Sequence, residues 1–173
     1  MNASIYQYTV PLFQNALRSL LVLLDKGEAF TKEKGVAESE LLDARIATDM
    51  FPFVKQVQMT CDNAKGCTSR LAGVENPAFE DKETSFAELK QRVQKTLSYL
   101  ETFKEEQFVD ADNRKITLAY FPDKHLSGVD YAKSYAIPNF YFHASMVYAI
   151  LRMKDVQVGK SDYLTDIPWK VGA

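Results

Sequence analysis

Histidine, cysteine and clustered basic charge are all scarce in this sequence, and each shortage removes a class of function. There are two histidines, His125 and His143, which leaves few imidazoles for a metal site. There are two cysteines, Cys61 and Cys67. On one helix that spacing gives about 9 Å of rise, beyond the roughly 7 Å that a disulfide tolerates. It is also wider than the about two to four intervening residues usual for a zinc pair. Both thiols are therefore expected to be reduced core or boundary residues of a cytoplasmic protein. No Lys/Arg cluster with interleaved aromatics occurs, and 21 basic residues against 23 acidic ones leave a net charge of -2. A dedicated nucleic-acid surface is not expected from such a balance. Residues 1–20 lack the basic start, apolar middle and cleavage site of a signal peptide, and Leu20–Leu24 is too short to span a bilayer.

What is present is helical periodicity. Length and composition (46% hydrophobic, 25% charged) suit one globular domain over residues 1–173. Val10, Phe13, Leu17, Leu20 and Leu24 step by three and four, the seam of a helix over about 9–34. Thr9 is placed as its N-cap, Pro11 in its first turn and Gly35 at its end. A short helical piece around Glu40–Arg45 leads to a second long helix over about 49–72, with Pro52 in its first turn. Met50, Val54, Val57, Cys61, Ala64, Thr68 and Leu71 form its seam, and Gly66 is expected to allow close helix approach. A third helix over about 84–103 opens with Ser85 and Glu88 in capping-box spacing. Ile116, Leu118 and Tyr120 then alternate with Thr117 and Ala119, which predicts a small β-hairpin over about 115–127 turning at Pro122-Asp123-Lys124. A fourth helix is expected over about 129–154, kinked at Pro138. The tail from Val156, with Pro168 and Trp169, has no clear period and is expected along the surface or against a partner. The fold class is thus all-α, an antiparallel four-helix bundle with a hairpin insert between the third and fourth long helices.

The fourth helix carries the candidate site. In IPNFYFHASMVYAILR, Asn139 and His143 stand four residues apart in an apolar run, so both project to one side. Buried polar groups need partners or cost about 1–3 kcal/mol each. Gln58 and Asp62, also four apart, can supply them from the second helix, and the four side chains are expected to face one another. Three readings stay open. His143 can be a metal ligand, with Asp62, Asn139 or Gln58 beside it and Zn or Ni as the ion. It can be a catalytic general acid or base in a small-molecule cleft, although no nucleophile completes a triad. Or the four form a hydrogen-bonded core network or non-catalytic binding pocket. No cofactor is expected on balance. Aromatic density at Tyr135, Phe140, Tyr141, Phe142 and Tyr148 reads as core, its surplus favouring a homodimer.

The stretches DMFPFVKQVQMTCDNAKGCTSRLAGVE (Asp49–Glu75), FEDKETSFAELKQRVQKTLSYL (Phe79–Leu100) and PNFYFHASMVYAILR (Pro138–Arg152) resemble a bacterial family of unknown function. That family stands among the DinB/YfiT-like four-helix bundles, and the resemblance runs from Tyr6 to about Leu164. It implies the bundle fold and, in the wider superfamily, a divalent metal held by three histidines. One comes from the second helix and a His-x-x-x-His pair from the fourth. Superfamily members include metal-dependent thiol transferases and isomerases acting with low-molecular-weight thiols. By position the pair becomes Asn139 and His143 here, and the second-helix ligand falls near Gln58. With amides at two of three positions, the resemblance implies a retained pocket that has lost the superfamily metal.

Overall fold

The computed structural model describes residues 4–165, 167, 169 and 170. Its first long helix, α1 (Val10–Lys34), buries the whole three-four seam. Pro11 sits in its first turn, and Gly35 closes it at φ 65°, a left-handed value glycine adopts without strain. Thr9 is not a side-chain cap: its hydroxyl donates to Ile5 O at 2.6 Å, within the turn that precedes the helix.

After the short α2 (Ser39–Leu42), α3 runs Phe53–Ala72, four residues later than the sequence placed its start. Pro52 is its N-cap in extended conformation, ψ 165°, not a residue of the first turn. A proline also holds the residue before it out of helical space, which leaves Met50 and Phe51 in the approach. Val57, Cys61, Ala64, Thr68 and Leu71 are buried, whereas Val54 is only half-buried. α4 (Phe86–Glu101) begins as expected, Ser85 Oγ accepting from Glu88 N at 3.2 Å. The Glu88 carboxylate in turn accepts from Thr84 N at 2.7 Å.

A 3-10 turn (Glu105–Phe108) precedes the hairpin of β1 (Ile116–Leu118) and β2 (Phe121–Leu126). The strands are antiparallel, pairing Ile116 with Leu126 and Leu118 with Phe121 across an irregular register. The reversal falls at Ala119-Tyr120, so Pro122-Asp123-Lys124 is strand rather than turn. Two-stranded sheets have only edge strands, so Pro122 removes a ladder donor at little cost. Beyond it, α5 (Gly128–Tyr131), a π-turn (Ala132–Ala136) and α6 (Ile137–Met153) follow without a break. Pro138 lies in the first turn of α6, directly after this π-turn, in which Ile137 N donates back to Ala132 O. The widened turn lies immediately before the position where proline supplies no N–H.

The long helices pack chiefly as α3 on α6, α1 on α4 and α3 on α4, and their buried apolar residues form one cluster. At Gly27 an added Cβ would stand 2.8 Å from Phe86 Cε1 and 3.2 Å from Leu151 Cδ2, so α1 meets α4 and α6 there over a bare backbone. The last helix, α7 (Lys160–Tyr163), lies on α1 and α6. Thr165 and Ser19 hydroxyls are 2.8 Å apart, and Tyr163 and Ser145 hydroxyls 3.1 Å. Trp169 is exposed, and Pro168 lies outside the described residues. Among the described residues no helix is long and apolar enough to cross a membrane.

Candidate functional site: the two polar sides of the third helix

Helix α3 carries two polar stripes on different sides. Gln56, Met59 and Asn63 step by three and four, so they look the same way, toward α6. His143 is buried there, with Nδ1 and Gln56 Oε1 2.7 Å apart. Gln56 spends its Nε2 on Phe51 O at 3.1 Å, so its oxygen is the acceptor and His143 carries the Nδ1 proton. The imidazole stacks with Phe51 at 6.3 Å between centroids and meets Phe142 edge-on at 5.2 Å. Burial alone pushes its pKa below the ordinary histidine value. One turn earlier on α6, Asn139 Nδ2 donates to Asn63 Oδ1 at 2.7 Å, and Asn63 Nδ2 donates to Met59 O. Among the described residues, Asn139 Oδ1 has no hydrogen-bond partner.

Gln58, Asp62 and Lys65 belong to the other stripe. Gln58 Nε2 donates to Glu83 at 2.8 Å, and Asp62 accepts from Arg92 at 3.0 Å and pairs with Lys65 at 3.4 Å. Arg92, from α4, is 4% exposed and gathers Asp62, Asp81 and Glu83 within 3.0 Å, with Glu80 O at 3.1 Å. Only its Nε is left without a partner among the described residues. Lys65 donates to Pro77 O and lies over the Phe79 ring at 4.2 Å. Burial depresses the pKa of Lys65, Asp62 opposing the shift. These contacts fasten residues 77–83 against α3 and α4. The thiols are inert: Cys61 and Cys67 are buried and unpaired, and burial pushes Cys61 up to about 12.

The four expected site residues therefore do not converge as one group. His143 turns to Gln56, Gln58 to Glu83 and Asp62 to Arg92. Asp62 and Asn139 do meet, as walls of a polar cleft of about 480 Å³ that also takes in Asn63, Lys65, Arg70, Phe79, Tyr120 and Tyr135. Sequence reasoning passed over Gln56, Asn63 and Arg70. The first two had a signal, the three-four stepping that puts them on the side of α3 facing Asn139 and His143. Gly66 is not a helix-crossing point: a Cβ there would stand 2.6 Å from Arg70 Nη1, so the missing side chain makes room for the guanidinium.

A divalent metal on the superfamily plan does not fit these residues. The Asn139 amide nitrogen is directed at Asn63, His143 is bonded to a neutral amide, and Asp62 is committed to two cations. Zn and Ni favour imidazole, thiolate or carboxylate donors. Among the described residues, no three His, Cys, Asp or Glu side chains are grouped to hold a metal ion.

Comparison with known proteins bears on this architecture. A family model described as a domain of unknown function, DUF1993, matches residues 5–164. The crystal structure of a DinB family member protein from Shewanella denitrificans is 42% identical and superposes with a TM-score of 0.93. That match covers 97% of this chain and 96% of the other. No curated protein matches.

Proposed function

The chain belongs to the DUF1993 domain family and to the DinB family, and on that premise we propose that it binds a small polar molecule without a metal, in the cleft beside Asn63 and Asn139. The observation that carries this reading is the amide pair on the cleft wall. Asn139 is held by Asn63 with one donor and presents its unpaired Oδ1, an acceptor ready for a ligand N–H or O–H. A cleft of about 480 Å³ lies within the usual range for small-molecule sites. His143 has no direct chemical role in this reading. It is a neutral core group that ties α6 to α3.

The same proposal takes residues 1–173 as one domain and the four long helices as an antiparallel bundle. The sense of α3 against α6 is supported by the order of their contacts: Gln56 before Asn63 on one helix, His143 after Asn139 on the other. Two buried, unpaired thiols support a reducing, cytoplasmic setting. A homodimer is part of the proposal, supported by the half-exposed Phe51 and Phe142 flanking His143. Sedimentation of the full chain should show twice the monomer mass, and Phe142→Asp should halve it.

The test of the cleft is a ligand-observed and protein-observed NMR screen of small amides, alcohols and carboxylates against the full chain. Hits should shift the side-chain amides of Asn63 and Asn139, and Asn139→Leu should abolish those shifts while leaving the fold intact. Hits confined to other surfaces would overturn the assignment.

A further inference from the structure

The polar cleft shares a wall with a second cavity of different character. That cavity, about 290 Å³ and open to one side, is lined by Ile116, Leu118, Phe121 and Leu126 of the hairpin together with Tyr135, with Lys124 and His125 beside them. Leu118 and Tyr135 line both spaces, so the two are adjoining chambers, one polar and one apolar. Tyr135 owes its position to the π-turn, a widened turn that re-aims side chains and recurs at functional sites.

The polar chamber also has an uncommitted cation. Of the other cations lining it, Lys55 pairs with Asp81 and Lys65 with Asp62. Among the described residues Arg70 has no carboxylate partner. It donates one N–H to the Tyr131 hydroxyl at 3.0 Å, and its guanidinium occupies the space left by the missing side chain of Gly66. Tyr131 in turn stacks on Tyr135 at 5.9 Å, so the cation and the shared wall are linked through one ring. A half-buried guanidinium with free N–H groups suits a carboxylate, which it can grip by two parallel hydrogen bonds.

We propose that the ligand is a small carboxylic acid with an apolar body. Its carboxylate sits on Arg70 and the Asn63/Asn139 side of the cleft, and its hydrocarbon part passes Tyr135 and Leu118 into the hairpin chamber. This rests on the cleft reading above and deepens it by naming the ligand class.

Hexanoate, hexan-1-ol, acetate and propionamide, titrated into the 15N-labelled full chain, test the inference. Hexanoate should shift resonances of both chambers and bind at least tenfold more tightly than acetate, whose shifts should stay in the polar one. Arg70→Gln should weaken hexanoate at least tenfold and leave hexan-1-ol unchanged, with Arg70→Lys falling between. Phe121→Ser, at a half-exposed hairpin position, should weaken hexanoate and hexan-1-ol but not acetate. Gly66→Ala keeps the charge and displaces it, so it should weaken hexanoate as well. Hexanoate binding no tighter than acetate, or indifferent to Arg70→Gln in a folded variant, overturns the two-chamber inference. If propionamide still shifts Asn63 and Asn139 in that case, the cleft reading survives alone. If no probe shifts the cleft, both fall.

Discussion

The two polar stripes of α3 solve the same problem in opposite ways. Toward α6, Gln56 and Asn63 meet His143 and Asn139 with neutral groups only, each bond a direct contact between two helices. Toward α4, Asp62 and Lys65 meet Arg92, and the ions are matched only because residues 77–83 bring Asp81, Glu83 and carbonyl oxygens to them. A neutral amide leaves water at moderate cost once it is hydrogen-bonded, whereas a buried charge needs several partners. So the amide side can be built from two helices alone, and the charged side needs a loop to complete it.

Removing Arg92 should break that contrast most severely. Arg92→Ala leaves Asp62, Asp81 and Glu83 facing one another, a loss of about 3 kcal/mol or more in denaturant unfolding. Residues 77–83 should also become open to proteolysis. Arg92→Met should recover part of the loss by restoring packing. On the amide side, His143→Ala should cost about 2 kcal/mol, from an orphaned Gln56 oxygen and lost ring contacts with Phe51 and Phe142. A double-mutant cycle with Gln56→Ala should give a coupling near 1 kcal/mol. A coupling near zero would break the Gln56–His143 assignment.

Acidification separates the two sides further. The folded pKa of His143 is lowered by burial, so below the ordinary value of about 6.5 the unfolded chain binds more protons than the folded one. Stability should therefore be full above that value and fall as the pH drops below it, by up to about 1.4 kcal/mol per pH unit until the folded group itself protonates. His143→Phe should flatten this part of the profile. An unchanged slope would place the proton uptake elsewhere. The smallest effect is expected at the α1–α4 surface. There Glu28 bonds Lys32 and Lys90, each at 2.8 Å, and those two partners hold its carboxyl down to about 2. Glu28→Gln should cost no more than about 1 kcal/mol, and less in high salt.

The long helices were legible because each announces itself locally. A three-four seam ends at Gly35 and another at Gly73, and Ser85 caps a third helix. The boundary at Thr9 falls where the sequence puts it, but its hydroxyl bonds backward to Ile5 rather than forward as a cap, and only at Pro52 do local rules misplace a helix start by a few residues. The hairpin's existence was readable from alternation, but its turn was not. Pro122-Asp123-Lys124 has turn chemistry, yet pairing of Leu118 with Phe121 puts the reversal ahead of it. In the site, periodicity correctly drew attention to Asn139 and His143 but could not choose which side of α3 they meet. Gln58 and Gln56 are both plausible by spacing, and the choice depends on how α3 is rotated about its axis. Arg92 and residues 77–83 settle that rotation from the far side, through contacts no local pattern encodes.

The π-turn at Ala132–Ala136 has a consequence for chain length. A helix that reaches back five residues for one bond holds one residue more than an α-helical path would need. Deleting a residue there would regularise the coil and turn everything upstream by about 100°. Tyr131 would swing off Arg70, while Asn139 and His143 kept their places. The surplus residue thus sets the phase between two halves of one continuous rod, holding the buried Tyr131 on one side of it in register with Asn139 and His143 on the other.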